Sequence, residues 1–295
     1  MPFKINALII GSQKSGTSSL LRYLVSHPNI VSHQADEFPF FADQYIYTKG
    51  LAQAINNASF TKFERNKSRH ILCKSASVLH TYQSFQRIYD HNPKIKLVCV
   101  LRNPIERAFS AFWYAKRCGY EKRESFYQAI QNCSPSNYSN DFQKRNCSYL
   151  IAGKYYEHLN KLLEYFNKDQ INIILFEDLT NTPNVVCEKY FSDNNLSQFN
   201  VNSTKVYNSK KLSRFPTLTR FLLGRNSIKK YLKHIIPLTK RQKLKIQKKL
   251  IKLNEMEINT PVMDAKAKDF LIDYYSLHNR ELSKFLGRDL SNWNS

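Results

Sequence analysis

Short apolar runs and amphipathic stretches alternate along the chain. Ala7-Leu8-Ile9-Ile10, Ile71-Leu72-Cys73, Lys96-Leu97-Val98-Cys99-Val100-Leu101 and Ile171-Asn172-Ile173-Ile174-Leu175-Phe176 are apolar nearly throughout. Such runs predict strands covered on both faces. Between them apolar residues recur at helical spacing: Leu20, Leu21 and Leu24; Phe85, Ile88 and Tyr89 within 81–89; Leu159, Leu162, Leu163 and Phe166 within 149–166. These are the inner stripes of helices. Asn103-Pro104 suits a helix start and predicts a helix through Tyr114. Further helices are predicted at 126–131, 183–191, 240–253 and 265–285, the last closed by Gly287. Ile30-Val31 reads as a short strand, 33–41 as a loop, 50–65 as a weakly helical polar excursion, 118–148 as largely irregular and 207–211 as a loop. The alternation predicts an α/β fold, a central parallel sheet with helices on both faces.

Charge changes this picture in one interval. The chain of 295 residues carries a net charge of +22, and no acidic residue lies between Asp193 and Glu255. Lysines and arginines from Lys205 to Lys252 fill that gap, marking 205–255 as a basic, mostly helical segment inside a single domain over 1–295. An anionic partner fits it: a polyanion, a membrane surface or ligand phosphates. Solvated helix faces account better for most of these lysines. With 7 glycines and 10 prolines, linkers and low-complexity tails are not expected. The 6 cysteines form no C-x-x-C pair, which argues against a zinc site. Cys99 reads as core; Cys133 and Cys147 flank a polar loop and could pair, although reduced thiols are expected. Met1 to Asn6 lead straight into the first strand and no apolar run approaches a membrane span, so a soluble, cytoplasmic protein is expected.

The chemistry gathers where strands end. After the first strand comes Gly11-Ser12-Gln13-Lys14-Ser15-Gly16-Thr17-Ser18, then a helix. Strand, glycine-containing loop and helix aim backbone N–H groups and a helix N-terminus at an anion. Gly11 and Gly16 permit backbone conformations and close approaches that a β-carbon disfavours. Lys14 supplies a mobile charge, and Thr17 and Ser18 supply hydroxyls. Lysine precedes the second glycine, unlike the Walker A order. Arg102 ends a later strand and Ser110 follows two turns into the next helix, so the two could hold one phosphate. Lys74-Ser75 is another cation and hydroxyl at a strand's C-terminal end, the edge where ligands of open α/β sheets gather. Asp36-Glu37 stands in a loop beside Phe38, Phe40 and Phe41, a setting that can raise a carboxylate's pKa by desolvation.

The loop Gly11 to Thr17 together with Leu101-Arg102-Asn103-Pro104-Ile105-Glu106-Arg107-Ala108-Phe109-Ser110 closely resembles the sulfotransferases that use 3′-phosphoadenosine 5′-phosphosulfate (PAPS). The first stretch is similar to that family's 5′-phosphosulfate loop and the second to its 3′-phosphate motif. Asp36 to Phe41 resembles the segment of the heparan-sulfate-type branch that carries a catalytic glutamate, and Lys74-Ser75-Ala76-Ser77 its lysine-containing segment. Leu175 to Leu179, His278 to Leu282, Gly287 to Leu290 and Trp293 also fit, so the resemblance covers nearly the whole chain. The N-terminal membrane anchor of Golgi-resident members is not seen, as in soluble, bacterial-like forms.

The resemblance implies a P-loop-like domain that moves a sulfuryl group from PAPS to a hydroxyl or amine of an unidentified acceptor, a carbohydrate among the classes open. Lys14, Ser15, Gly16, Thr17 and Ser18 then meet the phosphosulfate, Arg102 and Ser110 hold the 3′-phosphate, and Ser209, Lys210 and Lys211 close over the nucleotide. Glu37 is the general base, with His33 and His80 as alternatives, and Lys74 adds a second charge to that of Lys14. No metal is implied. Two other readings remain at this level: a P-loop kinase or NTPase in which Ile173-Ile174-Leu175-Phe176-Glu177-Asp178 is a Walker B strand carrying a magnesium ligand, and a non-enzymatic basic module for nucleic acid or anionic membrane. The motif order weighs against the first, and no nucleic-acid motif supports the second.

Overall fold

Strands β1 (Ala7–Ile9), β2 (Ile30–Ser32), β3 (His70–Lys74), β4 (Lys96–Leu101) and β5 (Ile171–Leu175) form one parallel sheet in the order β2-β3-β1-β4-β5. The computed structural model describes residues 3–60, 70–134, 141–202, 211–223, 240–257 and 261–294. The chain divides into two compact units, one of Met1–Ala108, Leu150–Tyr207 and Leu271–Ser295, the other of Phe109–Tyr149 and Asn208–Phe270.

The sheet belongs to the first unit. Alternate residues of β1, β3, β4 and β5 enter separate cores. Leu8, Cys73, Leu97, Cys99 and Leu101 join Phe85, Ile88, Leu159 and Leu162 on one face. Ala7, Ile9, Leu72, Val98 and Val100 join Leu20, Leu21, Leu24, Cys187, Tyr190 and Phe191 on the other. Helices therefore cover both faces, which is why the strands read as continuous apolar runs. The helix Thr17–Leu24 buries Thr17, Leu20, Leu21 and Leu24, and Asn103 caps the helix Pro104–Arg117 by accepting the Ile105 N–H at 2.9 Å.

Several boundaries differ from expectation, for tertiary reasons. Tyr89 is not on the buried side of its helix, Gln83–His91; it is 43% exposed. The stretch expected as one helix over 149–166 is a 3₁₀ turn, Ile151–Gly153, followed by the helix Tyr155–Leu163. Gly153 sits where a β-carbon would lie 2.5 Å from the Tyr275 hydroxyl. Phe176 does not extend β5 but opens a helix, Phe176–Asn181, with its ring over Gly16. All 6 cysteines are buried thiols and none forms a disulfide, so the reduced state expected for Cys133 and Cys147 holds; burial pushes the Cys147 thiol up to about 12.

The second unit is smaller and rich in aromatic contacts, Phe126 lying 5.2 Å from Phe109 and 5.4 Å from Phe112. The region expected to be irregular holds a short helix, Asp141–Asn146, besides the expected Phe126–Gln131. Lys211 is not in a loop: it opens β6 (Lys211–Ser213), which pairs antiparallel with β7 (Glu255–Glu257). Asn254 closes this ribbon onto the helix Pro216–Leu223, accepting from Phe215 N–H at 3.0 Å and donating to Phe215 O at 2.8 Å. Lys245, Lys248, Lys249 and Lys252 are exposed on the helix Lys240–Leu253. Among the described residues no helix is long and apolar enough to cross a membrane.

Candidate active site

Strand order decides which ends meet. β1 lies between β3 and β4, all parallel. The loop after β1, Lys74 at the end of β3 and the Arg102 turn after β4 therefore leave the sheet at one edge.

The loop after β1 is held by the sheet as much as by its own residues. Ser12 N–H continues the ladder by donating to Val100 O at 3.0 Å. A β-carbon on Gly11 would lie 2.1 Å from Val100 N, so this glycine is required by close packing against β4 and not by a left-handed backbone. Gly16, at φ +85°, is the left-handed residue and the N-cap of the helix Thr17–Leu24. Lys14 also takes a positive φ, 71°, an uncommon state for a residue with a β-carbon. The two left-handed residues bend the loop back before the helix. Ser15 N–H donates to Ser12 O and Ser19 N–H to Gly16 O, and no side chain caps the helix. The intervening N–H groups of Gly16, Thr17 and Ser18 therefore stand at a helix start that offers them no intrahelical acceptor, the arrangement that suits a phosphate or sulfate. The residues present fit such a group.

Arg102 is tethered on three sides. Its Nη2 donates to Glu106 Oε2 at 2.6 Å, its Nη1 to Lys14 O at 3.2 Å, and its guanidinium lies 4.6 Å from the Phe176 ring centroid. Tyr155 O–H donates to Arg102 O at 2.8 Å, and burial raises the Tyr155 pKa so that the donor proton stays on. Glu106 is 56% exposed, so its ion pair is weak enough to yield to a phosphate. Ser110 is half-buried on the helix Pro104–Arg117, in the part that belongs to the second unit. Ser209 and Lys210 lie outside the described residues, and Lys211 is placed as the first residue of β6.

Lys74 and Glu37 form the densest charged contact. Lys74 Nζ lies 2.7 Å from Glu37 Oε1 and donates to Ser18 Oγ at 3.0 Å. Glu37 Oε2 accepts the Ala76 N–H at 2.9 Å. The Lys74 side chain is 3% exposed and that of Glu37 is 43% exposed. The apolar setting read from Phe38, Phe40 and Phe41 is not the one Glu37 occupies. Those rings turn into the core, while the carboxylate faces a cation, a backbone N–H and solvent. His33, one alternative base, is buried with both ring nitrogens engaged, Nδ1 with Ala35 O at 2.8 Å and Nε2 with the Lys74 N–H at 3.1 Å. His80 sits on the 3₁₀ turn Val78–His80 with its ring 6.4 Å from that of His158.

Sequence reading missed Phe176 and Tyr155 as supports of Arg102, and Ala76 as a donor to Glu37. Their partners lie far apart in the chain, and no local pattern marks them. Asp178, in the stretch where a kinase reading places a magnesium ligand, pairs with Arg288. Among the described residues no group of three or more His, Cys, Asp or Glu is placed to hold a metal ion.

Residues 4–211 match the family model described as the sulfotransferase domain. The chain is 27% identical over 308 residues to bifunctional heparan sulfate N-deacetylase/N-sulfotransferase 4 of Mus musculus, covering 97% of this chain and 30% of that protein. It is 27% identical over 301 residues to bifunctional heparan sulfate N-deacetylase/N-sulfotransferase 3 of Homo sapiens, again covering 97% and 30%. It thus spans about 30% of the length of these curated relatives. A sulfotransferase structure from Alicyclobacillus acidocaldarius shares the fold, with a TM-score of 0.68 at 20% identity over 99% of this chain and 100% of that one.

Proposed function

The chain belongs to the sulfotransferase family, and we propose that it moves a sulfuryl group from PAPS to an amine or hydroxyl of a carbohydrate. The observation that carries this reading is the Glu37–Lys74–Ser18 contact at the sheet edge from which the phosphate loop also springs. When bound, PAPS supplies the sulfuryl group and departs as adenosine 3′,5′-bisphosphate.

The chain's own residues then divide the work. Lys14 and the N–H groups of Gly16, Thr17 and Ser18 stabilise the negative charge that grows on the departing 5′-phosphate oxygen. Arg102 holds the 3′-phosphate and fixes the nucleotide. Glu37 takes the proton of the attacking amine or hydroxyl through its solvent-facing side. Lys74 touches both Glu37 and Ser18, so it couples the base to the start of the phosphate-binding helix. The exposed lysines Lys245, Lys248, Lys249 and Lys252 suit an anionic partner, attracted in a salt-dependent way.

Heparan sulfate is the substrate that the curated relatives' names print; this supports a carbohydrate, and the "N-" in those names supports an amine. The test is transfer of labelled sulfate from PAPS to de-N-sulfated heparin, to a hydroxyl-bearing polysaccharide without amines, and to phenols. Transfer to the first is expected. Transfer to phenols alone would overturn the carbohydrate assignment, and the lack of transfer to any acceptor would overturn the role of PAPS.

A further inference from the structure

His33 stands where a strand gives out. β2 pairs with β3 through Ile30↔His70, Val31↔Ile71 and Ser32↔Leu72, then leaves the sheet. β3 runs on to Lys74, which pairs with Ile9 on its other side. Lys74 is buried, so its N–H needs an acceptor, and β2 no longer offers a carbonyl there. The His33 ring fills the gap, its Nε2 lying 3.1 Å from Lys74 N.

That bond fixes the state of the ring. A backbone N–H can only donate, so Nε2 must carry a lone pair. The proton therefore sits on Nδ1, where it donates to Ala35 O at 2.8 Å. His33 is 5% exposed, and its ring packs against Phe38 and Phe60 at centroid distances of 5.9 and 6.3 Å. Lys74 is gripped on its other polar group as well, its carbonyl accepting the Phe38 N–H at 2.7 Å. Two bonds thus pin residues 33–38 to the last residue of β3, one on each side of Glu37.

We propose that His33 is a positioning residue, a neutral Nδ1–H imidazole that stands in for the missing β2 carbonyl and sets the Lys74–Glu37 pair in place, and that it is not the base. The kinetic consequence rests on the function proposed above; the ring's tautomer and the Lys74 N–H bond do not. A lone pair already bonded to a backbone N–H cannot accept an acceptor's proton without releasing that bond.

The experiment combines spectroscopy with kinetics. Long-range ¹H–¹⁵N spectra of the full chain should show His33 as the neutral Nδ1–H tautomer at neutral pH, and the Lys74 amide should exchange slowly. In His33→Gln the side-chain carbonyl can accept the same N–H, so slow exchange persists. In His33→Ala, and in His33→Phe, which keeps the volume, exchange quickens. With de-N-sulfated heparin as acceptor, kcat should fall roughly tenfold or more in the Ala and Phe variants and stay within about threefold in Gln. Affinity for adenosine 3′,5′-bisphosphate, read by calorimetry, should stay within about twofold in all three, which also reports that they fold. An imidazolium or Nε2–H tautomer overturns the proposal, as does a Gln variant as impaired as Ala, which would make His33 the base. An Ala variant with unchanged exchange and turnover overturns it too. Should the wild type transfer no sulfate, the function proposed above fails, and the tautomer and amide exchange still decide the role of His33.

Discussion

Lys74 Nζ stands 2.7 Å from Glu37 Oε1, with the lysine side chain 3% exposed and the glutamate 43% exposed. The pair is thus one-sided: a buried cation holds a carboxylate whose far side faces solvent. That asymmetry suits a base that must meet an incoming acceptor while staying fixed at its root. It also sets the expected behaviour of both residues.

Glu37→Gln preserves shape and removes the basic oxygen. Turnover should fall by about two to four orders of magnitude, with affinity for adenosine 3′,5′-bisphosphate near wild type. Steady-state kinetics beside calorimetry separate the two; a Gln variant that transfers sulfate at nearly the normal rate means Glu37 is not the base.

Lys74→Met removes the buried charge and keeps an unbranched chain. Glu37 can then solvate, so the fold should lose little, with a melting temperature within a few degrees of wild type. Turnover should drop about tenfold or more, because the base is no longer held and a cation is gone from the site. A variant that melts far lower while keeping its turnover would assign Lys74 to stability alone.

The two loop glycines should fail differently. A β-carbon at Gly11 would meet the Val100 backbone at 2.1 Å, where neither chain can give way, so Gly11→Ala should cost about 3 kcal/mol or more. Gly16→Ala meets a movable Phe176 side-chain atom at 2.9 Å and keeps a left-handed backbone, so about 1–2 kcal/mol is expected. Urea titration of both variants checks the order, and the Gly16 variant should also bind nucleotide more weakly.

Arg102→Ala should weaken adenosine 3′,5′-bisphosphate binding tenfold or more while leaving affinity for adenosine 5′-phosphate, which lacks the 3′-phosphate, much closer to wild type. Equal losses for both ligands would move Arg102 away from the 3′-phosphate.

His158 gives the fold an acid weakness. Burial lowers its pKa from 6.5 to about 4, with Nε2 at 2.7 Å from Ile151 O and Nδ1 at 2.9 Å from the Tyr82 hydroxyl. Below pH 6.5 the unfolded chain takes up a proton that the folded chain refuses. Stability should therefore fall as pH drops from 6.5 towards 4, by about 3 kcal/mol from this residue, and level off below. His158→Gln should flatten that slope. An NMR titration placing the His158 pKa near 6.5 would contradict this account.

The strands, most helices and the phosphate loop were legible because their signals are local. The run Lys96 to Leu101 is apolar on both faces and became β4 over that same span. Asn103 and Pro104 marked a helix start, and Lys14, Gly16 and Thr17 stand together in the chain. Glu37 and Lys74 each stand out in the sequence as well, but no local pattern joins one to the other. Glu37 is marked by its loop position, its phenylalanine neighbours and the family resemblance, yet those rings point into the core.

The sequence by itself determined the α/β class, the loop after β1 and the turn after β4, since alternation, glycine placement and capping act over a few residues. Only the tertiary structure decided the rest. That β3 lies between β2 and β1 is what brings Lys74 to Glu37 and Ser18, and what leaves its N–H to His33. Gly11 is required by Val100 and Arg102 is steadied by Phe176 and Tyr155, contacts between strands and helices distant in the chain. Strand order is settled by which faces bury together, a property of the whole core that no short stretch carries.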